Sequence, residues 1–207
     1  MKTPKVPRTP PAALRREPSD IVAVQPPLWR IHRTSGSYPL QWDALRAWGP
    51  IPSMRFDPQP LPVGEHSDGV LYAATDFTTA LAEVFQTTRC VDIVNSRPCV
   101  TVWVPTRPLR LLDLTGSWAL RNGGSYALAA APRSTCRTWA RKIRVTWPDL
   151  DGLWTPSTMT GQPIVVLWNP SVDSFPTSPM FSRPLSEPTI ALSIARIASE
   201  KLGYDVA

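Results

Sequence analysis

The sequence predicts a single α+β domain, rich in strands and irregular loops. Of its 207 residues, 43% are hydrophobic and 9 are Trp, which is enough apolar volume for one packed core. Its 25 prolines favour short elements and argue against a helical bundle. Apolar runs of strand length alternate with stretches of helical period, and the chain contains no internal repeat.

The chain is basic, with a formal net charge of +6 and an isoelectric point near 9.7. A basic chain favours an anionic partner, such as a nucleotide, a nucleic acid or an acidic protein. No apolar run reaches the roughly 18–20 residues that a membrane-spanning helix needs. The basic N-terminal residues lack the apolar core of a secretory signal. We therefore expect a cytoplasmic protein without a membrane partner.

Cysteine and histidine content argues against a structural metal site. The chain has 3 cysteines, Cys90, Cys99 and Cys136, which form no C-x-x-C motif. It has 2 histidines, His32 and His66. A structural zinc site needs about four such ligands at close spacing. We expect reduced thiols that are at least partly buried, and histidines with surface or structural roles.

Residues 1–27 are expected to form an arm outside the domain. They are rich in proline and arginine and end in "QPP", a composition typical of a flexible segment. The domain is then expected to cover residues 28–207. Part of the basic charge belongs to this arm, so the charge of the domain itself is smaller.

The domain is expected to begin with strands that a long irregular segment interrupts. Residues 28–32, in "LWRIHR", have the composition of a strand. The proline-broken residues 38–62 follow, and so long a segment inside a compact domain is more often functional than idle. The "SDG" at residues 67–69 predicts a turn, and residues 70–74 predict the next strand.

Asp76 predicts the start of a short helix over residues 77–87, because an Asp side chain can cap the main-chain N–H groups of the first turn. Apolar residues recur at helical spacing and define one face: Phe77, Ala80, Leu81, Val84 and Phe85. Glu83 lies away from the centre of that face. Helix geometry alone allows Glu83 to point either to solvent or into a cleft beside the sheet.

The second half of the chain predicts three more strands and two helices. The strand ranges are 100–104, 109–114 and 163–168, and the helix ranges are 135–144 and 189–203. The cationic residues of the first of these helices are expected to form a solvated face or a partner-binding patch. The loop "RNGGSY" at residues 121–126 is either a simple turn or a phosphate contact.

Several short motifs occur in an order that resembles the RES domain family. They are "LWRIHR", "RFDP", "LYAATDFTTALAEVF", "DGLWTPS" and "PIVVLW", and they extend over roughly residues 28–170. The family takes its name from an Arg, a Glu and a Ser. The resemblance implies an ADP-ribosyltransferase-like fold, with mixed strands around a central cleft and a few short helices. It also implies the NAD-consuming toxin of a toxin–antitoxin pair, whose cognate antitoxin contains a helix-turn-helix domain.

The resemblance further implies the site residues. The catalytic Arg, Glu and Ser of the family match Arg30, Glu83 and Ser157. The residues that would contact NAD are Arg30, Arg55, Tyr72 and Ser157. In this interpretation NAD is the substrate, and neither a cofactor nor a metal takes part.

These residue types suit cleavage of the bond between nicotinamide and ribose. Positive charge grows on the ribose as the bond breaks, and the carboxylate of Glu83 would stabilise it. Arg30 and Arg55 suit the pyrophosphate, because a guanidinium can pair with two phosphate oxygens. Tyr72 would stack on nicotinamide or hold the ribose through its hydroxyl. Ser157 would bind the ribose or orient Glu83.

Other interpretations stay open on the residues alone. Arg30 can be an edge-strand residue in a salt bridge, Tyr72 a core residue and Ser157 a turn residue. The leading hypothesis for function is an NAD glycohydrolase or, with inorganic phosphate as partner, a phosphorylase. The alternatives are a mono-ADP-ribosyltransferase that modifies a protein and a basic binding module without catalysis. We expect nucleic acid contact only through the antitoxin, because aromatic and basic residues are not interleaved as in RNA-binding strands.

Overall fold

The elements are those of a computed structural model that describes residues 4–207. The strands are β1 (Ile21–Val24), β2 (Leu28–Arg33), β3 (Arg46–Gly49), β4 (Gly64–Ala74), β5 (Cys90–Val91), β6 (Pro98–Trp103), β7 (Leu109–Asp113), β8 (Gly152–Pro156), β9 (Pro163–Trp168), β10 (Phe181–Pro184) and β11 (Asp205–Val206). The helices are α1 (Phe77–Val84), α2 (Trp118–Arg121), α3 (Arg133–Thr146) and α4 (Pro188–Ile197), which continues as a π-helical turn over Ala198–Leu202. This mixture confirms the predicted α+β class.

Nine strands of the described chain form one mixed sheet. Its order is β1-β7-β8-β9-β4-β2-β6-β10, and β3 pairs with β4 beside this path. The β7–β8 pair is parallel, and the other neighbours in this sheet are antiparallel. β5 and β11 form a separate parallel pair. The predicted strands are therefore present, within one or two residues at most ends, and β4 is longer than predicted.

The sheet is split between β2 and β4. These two strands pair at one position, Trp29 opposite Ala74, whereas β2 pairs with β6 along its whole length. On the same edge of β4, β3 pairs with residues between Gly64 and Val70. The edge of β4 between Val70 and Ala74 therefore has no strand partner, and a cleft opens there.

Apolar side chains cover both faces of the sheet, because successive strand residues point to opposite sides. On β4, Val70 and Tyr72 pack with α2 and α3, around the buried Trp118 and Trp139. Leu71 and Ala73 belong to a second cluster on the other face, which contains Trp103. A third cluster joins α1 and α4 to β6. The site is thus held by a sheet with a packed core on either side.

The predicted cap of α1 is confirmed. Asp76 accepts hydrogen bonds from the main-chain N–H of Thr79 at 2.8 Å and from its hydroxyl at 2.7 Å. The helix ends at Val84, three residues earlier than predicted. Val84 was expected on the apolar core face, but its side chain is 49% exposed and lines the cleft. The buried residues of α1 are Thr79–Ala82, and Glu83, which follows them, is half-buried and lines the cleft.

The turn predicted at residues 67–69 is wrong, since these residues lie inside β4. Arg46 pairs with Val70 and Trp48 with Glu65, so the extra residues of β4 form a bulge between the two pairs. Gly69 suits this bulge, because a Cβ there would lie 2.7 Å from Cβ of Leu45. The "SDG" composition therefore marks a bulge inside β4 and not the start of the strand.

Strand β8 was not predicted, because Gly and Pro at its ends read as loop signals. It forms because it lies between β7 and β9 and pairs with both. Its glycine permits a close approach of the two backbones: a Cβ on Gly152 would lie 1.8 Å from the carbonyl oxygen of Val166. The strand carries Ser157 at its end.

The N-terminal segment differs from the expected free arm over its described residues 4–27. Ile21–Val24 is the edge strand β1, paired with β7. The indole N–H of Trp139 donates to the carbonyl of Pro7, and that of Trp118 donates to the carbonyl of Arg15, both at 2.9 Å. Buried indole groups need such acceptors, which explains why a proline-rich segment lies along the domain. The first three residues of the expected arm lie outside the described part.

Guanidinium groups hold the irregular segment between β2 and β4. Prolines lack an N–H and interrupt ladder pairing, so the carbonyl groups of such a segment need other donors. Arg137 of α3 donates from Nη1 to the carbonyls of Pro52 and Met54, each at 2.8 Å. Arg141 donates to the carbonyl of Gln59 at 3.3 Å. The prediction that the cationic side chains of α3 form a solvated face is therefore wrong for Arg137 and Arg141.

In the part of the chain that the structure describes, no helix combines the length and the apolar character that crossing a membrane requires.

Candidate active site

A cleft of about 710 Å³ opens where β2 and β4 separate. Strands β2 and β4, helix α1 and the irregular segment contribute its walls. Four of the predicted site residues line it: Arg30, Arg55, Tyr72 and Glu83. The fifth, Ser157, is buried and lies within hydrogen-bond distance of Glu83. The structure therefore brings the five residues to one region, although they lie up to 127 positions apart in the sequence (157 − 30 = 127).

Glu83 and Ser157 form a direct pair. The Ser157 hydroxyl donates to Oε1 of Glu83 at 2.6 Å. The same hydroxyl accepts from the main-chain N–H groups of Met159 at 3.0 Å and Thr160 at 3.1 Å. A serine hydroxyl has one donor and two acceptor sites, so all three are used. Of the two predicted roles for Ser157, this geometry favours orienting Glu83 over binding a ribose.

The carboxylate of Glu83 is half-buried at the end of α1. Its Oε1 is held by Ser157, and its Oε2 accepts a weaker bond from Nε2 of Gln86 at 3.2 Å. The side chain amide of Gln86 also donates to the main-chain carbonyl of Glu83 at 2.7 Å. The carboxylate is therefore fixed in direction while it still lines the cleft.

Arg30 is buried on β2, with 8% of its surface exposed. Its Nη1 donates to the carbonyls of Trp42 at 2.7 Å, Ala44 at 3.0 Å and Gln41 at 3.3 Å. Burial lowers the pKa of Arg30 to about 10, so the group remains cationic at neutral pH. Among the described residues, no salt bridge to Arg30 forms. Arg30 thus holds residues 41–44 with one nitrogen, and its Nε and Nη2 have no protein partner there.

Tyr72 lines the cleft, and its hydroxyl is already bonded within the protein. The hydroxyl donates to Oδ1 of Asp57 at 2.8 Å and accepts from the main-chain N–H of Phe56 at 3.0 Å. Burial, and then the neighbouring Asp57 carboxylate, raise the pKa of Tyr72 well above its usual value. The phenol therefore stays protonated. Of the two predicted roles, the geometry favours stacking of the ring over a hydroxyl bond to ribose.

Arg55 lines the cleft from the irregular segment. It is half-buried, and its Nη1 donates to the carbonyl of Ala131 at 2.8 Å. A guanidinium has five N–H donors, so this one bond leaves donors available to a ligand. Three further arginines line the cleft: Arg46 and the exposed Arg33 and Arg133. None of the three was predicted as a site residue, and Arg46 and Arg133 belong to no recognisable motif.

Asp57 was also missed as a site residue. It has no exposed surface and accepts bonds from Arg46, Ile51 and Tyr72. The available signal was its place in "RFDP", where the carboxylate lies between Phe56 and a proline. Such an acidic residue in an apolar context is expected to have a cationic partner.

Main-chain groups also face the gap in the sheet. The main-chain N–H of Trp168 in β9 donates to the carbonyl of Asp151, on the β8 side. Trp168 therefore makes no main-chain hydrogen bond to Val70, the β4 residue opposite it. Hydrogen-bonded and non-hydrogen-bonded pairs alternate along two antiparallel strands, so Tyr72, two residues after Val70, also directs its N–H and C=O away from β9. These two groups point to the unpaired edge of β4. The cleft therefore offers one main-chain donor and one acceptor beside the Tyr72 ring.

The two histidines make structural contacts. His32 is 8% exposed, and its Nδ1 lies 2.9 Å from the carbonyl of Leu40, to which only an N–H can bond. Its Nε2 then accepts from the hydroxyl of Thr101 at 3.0 Å. His66 bonds to the carbonyl of Pro62. This agrees with the structural role predicted for them.

The described residues contain no cluster of His, Cys, Asp and Glu side chains that could hold a metal ion. The three cysteines are unpaired. In the loop at residues 121–126, Arg121 bonds to Asp20, and the amide of Asn122 bonds to the main chain of Arg15. Two of its side chains therefore hold the N-terminal segment.

Comparison with known proteins identifies the family. A family model described as the RES domain matches residues 27–188. A chain of the crystal structure of the M. tuberculosis MbcT–MbcA toxin–antitoxin complex superposes with a TM-score of 0.56 and 16% identity, covering 84% of this chain and 92% of that one. This likeness confirms the predicted fold, a mixed α+β domain with a few short helices. A search of curated protein sequences found no match. Since the family model covers well over half of its length, the chain belongs to the RES domain family.

Proposed function

We propose that this protein is the toxin of a toxin–antitoxin pair and that it consumes NAD by cleaving the nicotinamide–ribose bond. The observation that carries the proposal is the Glu83–Ser157 pair, with its 2.6 Å hydrogen bond, in a cleft lined by arginines. Membership of the RES domain family supports it. Catalytic roles for Arg30, Glu83 and Ser157, and NAD contacts from Arg30, Arg55 and Tyr72, are parts of the same proposal.

Glu83 would act on the charge that develops during cleavage. When the bond breaks, its electron pair moves to the ring nitrogen, and nicotinamide leaves as a neutral molecule. The ribose is left with oxocarbenium character. A carboxylate fixed in direction stabilises that charge without having to reorganise as it forms. Ser157 would act through Glu83, by holding Oε1 in place.

The arginines would bind the pyrophosphate. Arg30 is cationic, and two of its nitrogens have no protein partner in the described chain. Arg55 has further donors beyond its bond to Ala131. Charge-assisted bonds from guanidinium groups to phosphate oxygens are short and strong. The Tyr72 ring would pack on nicotinamide, which is flat and aromatic.

The acceptor of the ADP-ribosyl group decides the reaction class. With water as acceptor, the oxygen bonds to the anomeric carbon, a proton is released, and the products are ADP-ribose and nicotinamide. With inorganic phosphate, the product is ADP-ribose phosphate. A protein side chain as acceptor would make the enzyme a mono-ADP-ribosyltransferase. No cofactor is required in any of the three cases, because NAD is the substrate.

A cognate antitoxin would hold this activity in check. The solved chain that shares the fold comes from a toxin–antitoxin complex. We expect the antitoxin of this protein to contain a helix-turn-helix domain and to cover the cleft. The arginines of the cleft favour an acidic or carboxylate-bearing segment of the antitoxin. Such a toxin would act on NAD in the cytoplasm.

The proposal is tested by incubating the purified protein with NAD, with and without inorganic phosphate, and identifying the products by mass. We expect free nicotinamide in at least one condition. ADP-ribose as the co-product would assign hydrolysis, and ADP-ribose phosphate would assign phosphorolysis. If NAD stays intact alone but is consumed when cell extract is added, with a mass increase on a protein, the transferase alternative holds instead.

A further inference from the structure

Asp57 is a buried carboxylate at the meeting point of three chain segments. Its Oδ1 and Oδ2 accept from Nη2 of Arg46 at 2.7 and 2.8 Å, in a salt bridge with β3. Its Oδ2 also accepts from the main-chain N–H of Ile51 at 2.7 Å. Its Oδ1 accepts from the hydroxyl of Tyr72 on β4 at 2.8 Å. A carboxylate without exposed surface is costly unless it is paired in this way.

Two of the three partners of Asp57 lie in the cleft wall, while Asp57 itself is fully buried and does not line the cleft. Arg46 and Tyr72 both line the cleft. The Phe56 N–H also donates to the Tyr72 hydroxyl, at 3.0 Å. The tyrosine is therefore tied through its hydroxyl to the irregular segment, which also lines the cleft. Loss of the carboxylate would release the ring and the guanidinium together.

The protonation state of Tyr72 is consistent with a fixed donor. Burial and the Asp57 carboxylate raise the pKa of Tyr72 well above 10.0. The phenol thus keeps its proton over the physiological range and keeps donating to Asp57. A rotation of the ring away from this position would cost that hydrogen bond and leave a buried charge less well satisfied.

We infer that Asp57 is a positioning residue for substrate binding, which fixes the ring of Tyr72 and the guanidinium of Arg46 in the cleft wall. The inference rests on the proposed function, because the ligand that the wall receives would be NAD. Asp57 would touch neither the substrate nor the reacting atoms. Its effect would therefore appear in the KM for NAD and much less in kcat, which depends on the Glu83 side of the cleft.

A matched control exists in Asp151. It is 2% exposed, accepts two bonds from Arg107 at 2.8 and 2.9 Å, and accepts from the main-chain N–H of Arg110 at 2.7 Å. This set equals that of Asp57 except for the tyrosine, and Asp151 does not line the cleft. Asp57→Asn and Asp151→Asn therefore remove the same kind of charge from the same kind of site.

The experiment measures Tm, kcat and KM for NAD in the wild type, in both Asn variants, in Tyr72→Phe and in the double variant Asp57→Asn/Tyr72→Phe. We expect both Asn variants to lower Tm. Only Asp57→Asn should raise KM, by on the order of tenfold. Tyr72→Phe should raise KM by about three- to tenfold, since the side chain loses its hydrogen bonds to Asp57 and from the Phe56 N–H. The double variant should raise KM by less than the product of the two single effects, because both changes act on the contact between Tyr72 and Asp57.

The inference is overturned if Asp57→Asn raises KM no more than Asp151→Asn does, or if the effects in the double variant multiply. If Asp57→Asn fails to fold, Tyr72→Phe still decides, because an unchanged KM in that variant contradicts a role for the hydroxyl contact. A wild-type protein that leaves NAD intact would overturn the proposed function, and this inference with it. Normal wild-type turnover with an unaffected Asp57→Asn variant overturns this inference alone.

Discussion

Ser157 shows how one side chain can serve both folding and chemistry. Its hydroxyl closes the turn after β8 by accepting from Met159 and Thr160, and it donates to Glu83. Sequence context alone suggested only a turn residue after a proline. The structure retains that turn role and adds the bond to Glu83. The two roles cannot be separated by inspection of the sequence, because the partner lies 74 positions away.

Ser157→Ala is therefore expected to lower kcat by on the order of 10- to 100-fold, since a hydrogen bond to a charged group contributes about 1.5–3 kcal/mol. Stability should also fall, because two main-chain N–H groups lose their acceptor. The control is Ser171→Ala. Ser171 is fully buried and donates to the carbonyl of Trp168 at 2.7 Å, outside the cleft. A Ser157→Ala enzyme whose kcat matches that of Ser171→Ala would contradict the assignment.

His32 predicts a pH dependence of stability. Burial lowers its pKa below the ordinary value of 6.5, and the Leu40 carbonyl fixes a neutral tautomer. Below pH 6.5 the unfolded chain binds a proton that the folded protein does not, so the free energy of unfolding falls as the pH falls through that range. We expect Tm to drop between about pH 7 and pH 5.5 in the wild type. His32→Gln should reduce this slope; an equal slope in both proteins would assign the effect to other groups.

At the scale of elements, strands with regular apolar composition and the helix after Asp76 could be predicted from local sequence. The parts that could not be predicted depend on neighbours distant in the chain. Strand β8 forms because β7 and β9 flank it, and Gly69 forms a bulge because Leu45 lies against it. Family resemblance supplied the five predicted site residues. The contact of Tyr72 depends on Asp57, whose signal was its place in "RFDP", and the cleft depends on the split in the sheet, for which no local signal exists.

The split sheet makes a testable prediction for the amide of Tyr72. Its N–H faces the gap beside β4 and has no strand partner, whereas the amides of Leu71 and Ala73 bond to β9. Amide hydrogen exchange of the free protein should therefore be fast at Tyr72 and slow at its two neighbours, although all three lie in a central strand. Equal protection of the three amides would contradict the open edge.

At the scale of the whole molecule, the arginine-lined cleft collects contributions from β2, β4, the irregular segment, α1 and the end of β8. The irregular segment is long, but four arginines from other elements or from within it hold its carbonyls and its Asp57: Arg30, Arg46, Arg137 and Arg141. Many of the cationic residues of this basic chain are thus used internally. The net charge of +6 alone is therefore a poor guide to partners.

Expression without an antitoxin should deplete cellular NAD and arrest growth, because the proposed reaction destroys a central cofactor. The measurement is the NAD content of cells sampled before and after induction. Co-expression of the cognate antitoxin should restore both NAD and growth. Arrested cells that retain normal NAD would contradict degradation and would favour modification of a protein.

The central claim is that Glu83 is the carboxylate that drives cleavage of NAD. The most direct measurement is the release of nicotinamide by the purified wild type and by Glu83→Gln, with Tm and NAD affinity measured on the same samples. The change keeps the size of the side chain and removes its charge, and it lies outside the packed face of α1. We expect an unchanged Tm, retained NAD binding and a loss of rate on the order of 10²–10³. Near-normal nicotinamide release by a folded Glu83→Gln protein would contradict the claim.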